Sequence, residues 1–297
     1  MSASEPIVAP TAPTAPTAPP APTAPTAPTA PPAPPGIDRI AEAFAAARAD
    51  GRRAALMPYM MGGFPDLDRS REIALAYADA GADLIELGVP VSDPLADGPV
   101  IHAAGTAALR AGVRLHDVLE LARTVSARVP VVVMCYVNPI YARGLDRFAD
   151  ALTESGASGL IVPDLPYEEA PEMLEACEQR GLALVPLVAP TTPDARLARI
   201  GERARGFLYT VSLTGTTGER AGLAEGLDAV IARAKRFSSV PVAVGFGIAT
   251  PEQAAAAAAA GADGVIVGSR LVRAAGESSD PAGAVRELVL ALGRALR

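Results

Sequence analysis

The chain has no tryptophan, a single lysine, two histidines and two cysteines among its 297 residues. Each scarcity closes a route. The lysine, Lys235, lies in the polar stretch ARAKRFSS ahead of an apolar run. In a parallel α/β fold that position is at the N-terminal ends of the strands, away from the loops that build sites, which disfavours Schiff-base catalysis. His102 and His116 form no metal-ligand pattern and allow no Ser-His-Asp arrangement, so no metal is expected. Cys135, in a strand-like apolar run, and Cys177, in a helix-like one, read as small core residues. A disulfide framework or zinc site is not expected, and a reducing cytoplasm is the default location. No apolar run approaches the length of a membrane span. A net charge of −7 argues against nucleic acid as a partner, because phosphate backbones demand basic patches.

Proline is plentiful at one end. Thirteen of the 29 prolines fall within the first 35 residues, mostly in Thr-Ala-Pro units. Such a segment cannot bury a core, and residues 1–36 are expected to form an extended, disordered tail. The first basic residue is Arg39, so neither a secretory nor a transit signal is read there.

From Ile37 the pattern becomes an alternation of helix and strand. The first helix, 37–50, carries Ile37, Ile40, Phe44 and Ala47 on one stripe and is closed by Gly51. Apolar runs at 54–60, 83–88, 130–136, 159–163, 182–188, 206–211, 241–245 and 264–267 read as strands. Helical segments separate them, among them 68–80, 145–155, 168–180, 223–236 and 251–260. Gly81-Ala82-Asp83, Gly156-Ala157-Ser158 and Gly261-Ala262-Asp263 repeat as helix end plus strand start. Eight βα units of about 30 residues predict a single-domain (β/α)8 barrel over 37–297, with a doubly wound open sheet as the alternative architecture.

The stretch ADLIELGVPVSDPLADGP, 82–99, stands out. Side chains alternate along a strand, so Glu86 shares a face with Leu84 and Gly88, opposite Ile85 and Leu87. If both faces are buried, Glu86 is a carboxyl group in the interior, and Asp97, eleven residues on, is a second one in a Pro- and Gly-rich loop. The pair is raw material for acid–base chemistry; a half-exposed strand glutamate and a turn aspartate are the plainer alternative. In a barrel, phosphate binds beyond strands seven and eight. Those strands end in Gly245-Phe246-Gly247 and Gly268-Ser269, and SLTGTTGER after strand six adds Gly215, Thr217 and Gly218. Exposed backbone amides in these loops, with a short helix after Ser269, suit an anion. Tyr59, Tyr136, Tyr209 and Phe246 fall near strand ends, where they face a site more readily than a core.

IELGVPVSDPLADGP, with Pro58-Tyr59, the SLTGTTG loop, GFGI and VIVGS, closely resembles the α subunit of tryptophan synthase, from about Ile37 to the end of the chain. The resemblance implies a (β/α)8 barrel that cleaves indole-3-glycerol phosphate to indole and glyceraldehyde 3-phosphate, a retro-aldol reaction. It implies no cofactor on this chain, and a pyridoxal-phosphate β subunit as partner in an α2β2 heterotetramer. Carried over by motif, Glu86 and Asp97 are catalytic, and Tyr209 lies near the scissile bond. Tyr59, Tyr136 and Phe246 surround the indole, and Gly218, Gly247, Gly268 and Ser269 bind phosphate. Met61 departs from the family's threonine in MMGGFPD. A non-catalytic barrel that only regulates a partner, and a sugar-phosphate epimerase, are the competing readings; the epimerases commonly need metal ligands that this chain lacks.

Overall fold

The computed structural model describes residues 35–211, 226–245 and 247–297; the expected 1–34 portion of the tail lies outside them. Among the described residues nine strands run in chain order: β1 Ala55–Met61, β2 Ile85–Gly88, β3 Val131–Met134, β4 Gly159–Ile161, β5 Ala183–Val185, β6 Leu187–Val188, β7 Leu208–Val211, β8 Val242–Gly245 and β9 Gly264–Val267. Every pairing is parallel, and the sheet order is β5-β4-β3-β2-β1-β9-β8-β7-β6. The two ends of that order are consecutive pieces of one run, so the sheet returns on itself as a barrel. Eight strands become nine at Pro186, which lacks a ladder N–H. The piece before it pairs with β4 and the piece after it with β7, while the Pro186 carbonyl still accepts from the Tyr209 amide at 3.0 Å.

Strands buried on both faces need two cores, and both are present. Ile85, Leu87, Val131, Val133, Val244 and Val265 face the surrounding helices. Met57, Leu84, Val132, Ile161, Val185, Phe207, Ala243 and Ile266 fill the barrel, joined by Ile40, Phe44 and Ala47. These last three come from helix Gly36–Ala49, whose apolar stripe therefore packs into the N-terminal mouth. Its start is tied down by the Ile37 amide on the Gly181 carbonyl at 3.0 Å and by Arg39 on the Gly156 carbonyl at 3.0 Å.

Helices Leu67–Asp79, Leu145–Glu154 and Pro251–Ala259 match the expected segments. Each is followed by a glycine of the repeat in the left-handed region: Gly81, Gly156 and Gly261 at φ 86°, 73° and 98°. A side chain would be strained there, and the reversed backbone turns the chain into the next strand. The expected helix 168–180 is shorter, a 3-10 turn Tyr167–Glu169 followed by Pro171–Glu178, because Pro171 is placed to begin a helix and not to continue one. Met61 closes β1 rather than opening a loop. It is buried with Tyr59 against Ile101, Ala104 and Val272. Among the described residues, no helix is long and apolar enough to cross a membrane.

Candidate active site

The plugged N-terminal mouth leaves the opposite end of the barrel open. A cavity lies there, lined by Tyr59, Glu86, Ala96, Asp97, Ile101, Met134, Pro163, Leu187, Tyr209, Gly247, Ile248, Ile266, Gly268 and Ser269. Strand periodicity sets its floor. Tyr59 of β1 lies in register with Glu86 of β2, and both side chains point inward, one step above Met57 and Leu84.

Glu86 is 1% exposed, and its Oε2 has no hydrogen-bond partner. Burial, and then the negative charge of Asp97, pushes its carboxyl up to about 8, so near neutral pH it holds a proton. Asp97 arrives on the irregular segment between β2 and helix Pro99–Arg110. Burial raises its carboxyl too, opposed by the Tyr136 hydroxyl and by the charge of His102. Two carboxyl groups in one cavity with different surroundings are the arrangement that separates an acid from an anion.

Tyr59 and Tyr209 are 5% and 4% exposed, and burial holds both phenols protonated, far above their ordinary range. Each occupies space that a neighbouring strand end leaves free. A Cβ on Gly88 would lie 2.1 Å from the Tyr59 hydroxyl, and one on Gly245 would lie 2.4 Å from that of Tyr209. Tyr136 stands behind Asp97 rather than on the cavity wall: its hydroxyl donates to Asp97 Oδ1 at 3.0 Å and accepts from the Ala96 amide at 3.0 Å.

Gly247, Gly268 and Ser269, expected at an anion site, line the same cavity. Gly247 adopts φ 84°, and Gly268 caps helix Ser269–Glu277; the Leu271 and Val272 amides close on the Gly268 carbonyl at 2.9 and 3.1 Å, and a helix N-terminus of this kind favours an anion. A Cβ on Gly268 would meet nothing closer than 3.6 Å; protein packing does not require glycine there. Gly218, Phe246 and the SLTGTTGER loop lie outside the described residues. Lys235 pairs with Asp263 at 2.9 Å, just ahead of β9 at the N-terminal face and far from this chemistry. Among the described residues no cluster of three or more His, Cys, Asp or Glu is arranged to hold a metal ion.

Sequence reading did not find the apolar walls Met134, Pro163, Leu187 and Ile266. Strand periodicity alone could have placed Leu187 and Ile266 inward. The glycines ending β2 and β8 were a second available signal, since each makes room for a tyrosine on an adjacent strand.

Comparison with known proteins agrees with this fold. The family model described as tryptophan synthase alpha chain matches residues 44–294. A tryptophan synthase alpha chain from Prochlorococcus marinus (strain MIT 9313) is 48% identical over 236 residues, 79% of this chain and 86% of that protein. Among solved structures, Mycobacterium tuberculosis tryptophan synthase superposes with a TM-score of 0.81 at 42% identity, covering 87% of this chain and 98% of that one. The tryptophan synthase a2b2 complex of the hyperthermophile Pyrococcus furiosus gives 0.76 at 38% identity, covering 80% and 97%.

Proposed function

This chain belongs to the tryptophan synthase alpha chain family, and from that premise we propose how its cavity carries out the alpha reaction, cleavage of indole-3-glycerol phosphate to indole and glyceraldehyde 3-phosphate. The observation that carries the reading is the buried Glu86 carboxyl, its Oε2 without a hydrogen-bond partner, in one cavity with Asp97; burial favours its protonated form. Glu86 gives its proton to indole C3, which converts the ring into a leaving group and places positive charge on the ring nitrogen. The Asp97 carboxylate lies beside that N–H and stabilises the charge as it develops. Glu86, now a carboxylate, takes the proton from the adjacent glycerol hydroxyl. The C–C bond breaks as that oxygen becomes the aldehyde, the bonding electrons return to the ring, and the proton count closes on one residue. Tyr209 lies near the scissile bond, Tyr59 and Phe246 border the indole, and Gly218, Gly247, Gly268 and Ser269 receive the phosphate.

No step in this scheme draws on a cofactor in this chain. The partner is a β subunit carrying pyridoxal phosphate, in an α2β2 assembly like that of the Pyrococcus furiosus relative. Two free buried cysteines suit a reducing cytoplasm. The test is indole release from indole-3-glycerol phosphate by the purified chain, alone and with a matching β subunit. Turnover that rises with the partner supports the reading; no turnover in either case would leave a non-catalytic barrel.

A further inference from the structure

The segment that delivers Asp97 has no regular structure between Gly88 and Pro99, yet a charge-stabilising carboxylate must be held to a fraction of an ångström. The structure shows one rigid post against which it rests. Tyr136 follows β3, and the amides on either side of it are fixed. Cys135 donates to the Ile161 carbonyl at 3.0 Å, and Val137 donates to Asp164 Oδ1 at 2.9 Å. The ring itself is 5% exposed. Its hydroxyl accepts from the amide of Ala96 and donates to the carboxylate of the next residue, Asp97. A phenol has one proton to give, so the bond to Asp97 uses it and the bond from Ala96 fixes its direction.

We infer that Tyr136 is a positioning residue for the alpha reaction, acting through Asp97 and not through contact of its ring with substrate. The inference rests on the role given to Asp97 above. Asp97 is faced by Glu86 from β2, Tyr59 from β1, Tyr209 from β7, Tyr136 from the turn after β3 and His102 from helix Pro99–Arg110. Tyr136 donates a hydrogen bond to the Asp97 carboxylate at 3.0 Å. That bond favours the charged form, so its loss leaves burial less opposed and Asp97 protonates at higher pH.

The test is Tyr136→Phe in the full chain with a matching β subunit. Indole formation is measured across pH, with a thermal melt to verify folding. The expected result is a fall in kcat of about tenfold to a hundredfold, as for a lost hydrogen bond to a charged group. KM should stay within about twofold, and the acid limb of the pH profile should move upward. Placed on Asp97→Asn, the same change should cost nothing further, because residues acting as one unit are not additive. A rise in KM with kcat unchanged, an unmoved acid limb, or an equal loss in both backgrounds would overturn the inference. Failure of the underlying reading is distinguishable: Asp97→Asn alone would then turn over near the wild-type rate.

Discussion

The two ends of the barrel treat carboxylates in opposite ways. At the N-terminal end, Asp83 Oδ2 receives the Leu56 amide at 2.7 Å and Arg52 Nη1 at 2.6 Å, and the same Arg52 nitrogen donates to the Gly81 carbonyl at 2.9 Å. Asp263 repeats the device. Its Oδ2 takes the Val242 amide at 2.9 Å, and its Oδ1 pairs with Lys235. Burial raises the Asp83 carboxyl, and the Leu56 amide and Arg52 oppose that rise. At the C-terminal end, Glu86 and Asp97 share a cavity, and neither has an ion-pair partner among the described residues. One barrel therefore separates its tasks by face. Ion-paired carboxylates tie strand starts together, while carboxyl groups buried without an ion pair store the electrostatic misfit that acid–base chemistry uses.

The sharpest way to break this contrast is to neutralise the top. Glu86→Gln should lower indole formation by at least the ~10²–10⁴-fold typical of a general acid–base group. Stability should move the other way. In the folded chain the carboxyl titrates at about 8, against 4.5 for the unperturbed group, so the wild type loses stability as pH rises between those values. Glutamine cannot ionise, and its melting-temperature margin should widen over that window and level off above it. Thermal melts at pH 5 and pH 8 measure this, and a margin that did not change would place the proton elsewhere.

Asp97→Asn keeps an acceptor for the indole N–H but removes the charge. It should cost roughly 10²–10³-fold in kcat and leave a measurable trace, where Glu86→Gln leaves none above background. Gly268→Asp sets a negative charge at the expected anion site and should raise KM at least about tenfold, with kcat affected less. An unchanged KM would move the phosphate off that site.

Changes at the bottom should reverse the balance between activity and stability. Arg52→Met strands Asp83 in a site where the two side chains are 10% and 15% exposed. A loss of roughly 2–4 kcal/mol is expected, read as a melting temperature lower by about 5–10 °C, with kcat of the folded protein unchanged. The smallest effect sharpens the repeat itself. Ser158 stands where Asp83 and Asp263 stand in their own units, and its buried hydroxyl has no partner. Arg39 already reaches the Gly156 carbonyl as Arg52 reaches Gly81. Ser158→Asp should recreate the pair and add about 0.5–1 kcal/mol. A lower melting temperature would show that burying the carboxylate outweighs its new partners.

Much of this molecule was legible because strand and helix patterns are local. Alternation put Glu86 with Leu84, and the inner core confirms that face. The stripe of Ile40, Phe44 and Ala47 was visible too, although not the barrel mouth that it fills. Pro186 was in plain view inside 182–188, but its consequence was not. A proline removes one donor, and only the positions of β4 and β7 decide that each half of the run takes a different neighbour.

By itself, the sequence determined the succession of βα units, the inward direction of Glu86 and the glycine-rich strand ends, since these follow from steric periods of two and 3.6 residues and from left-handed turns that need glycine. Tertiary structure alone decided that the space above Leu84 stays open, that Glu86 has no partner for Oε2, and that a hydroxyl 39 residues away grips Asp97. Those properties depend on burial and on groups brought together by barrel closure. A proton's affinity is set by the whole surrounding medium, which no window of neighbouring residues contains.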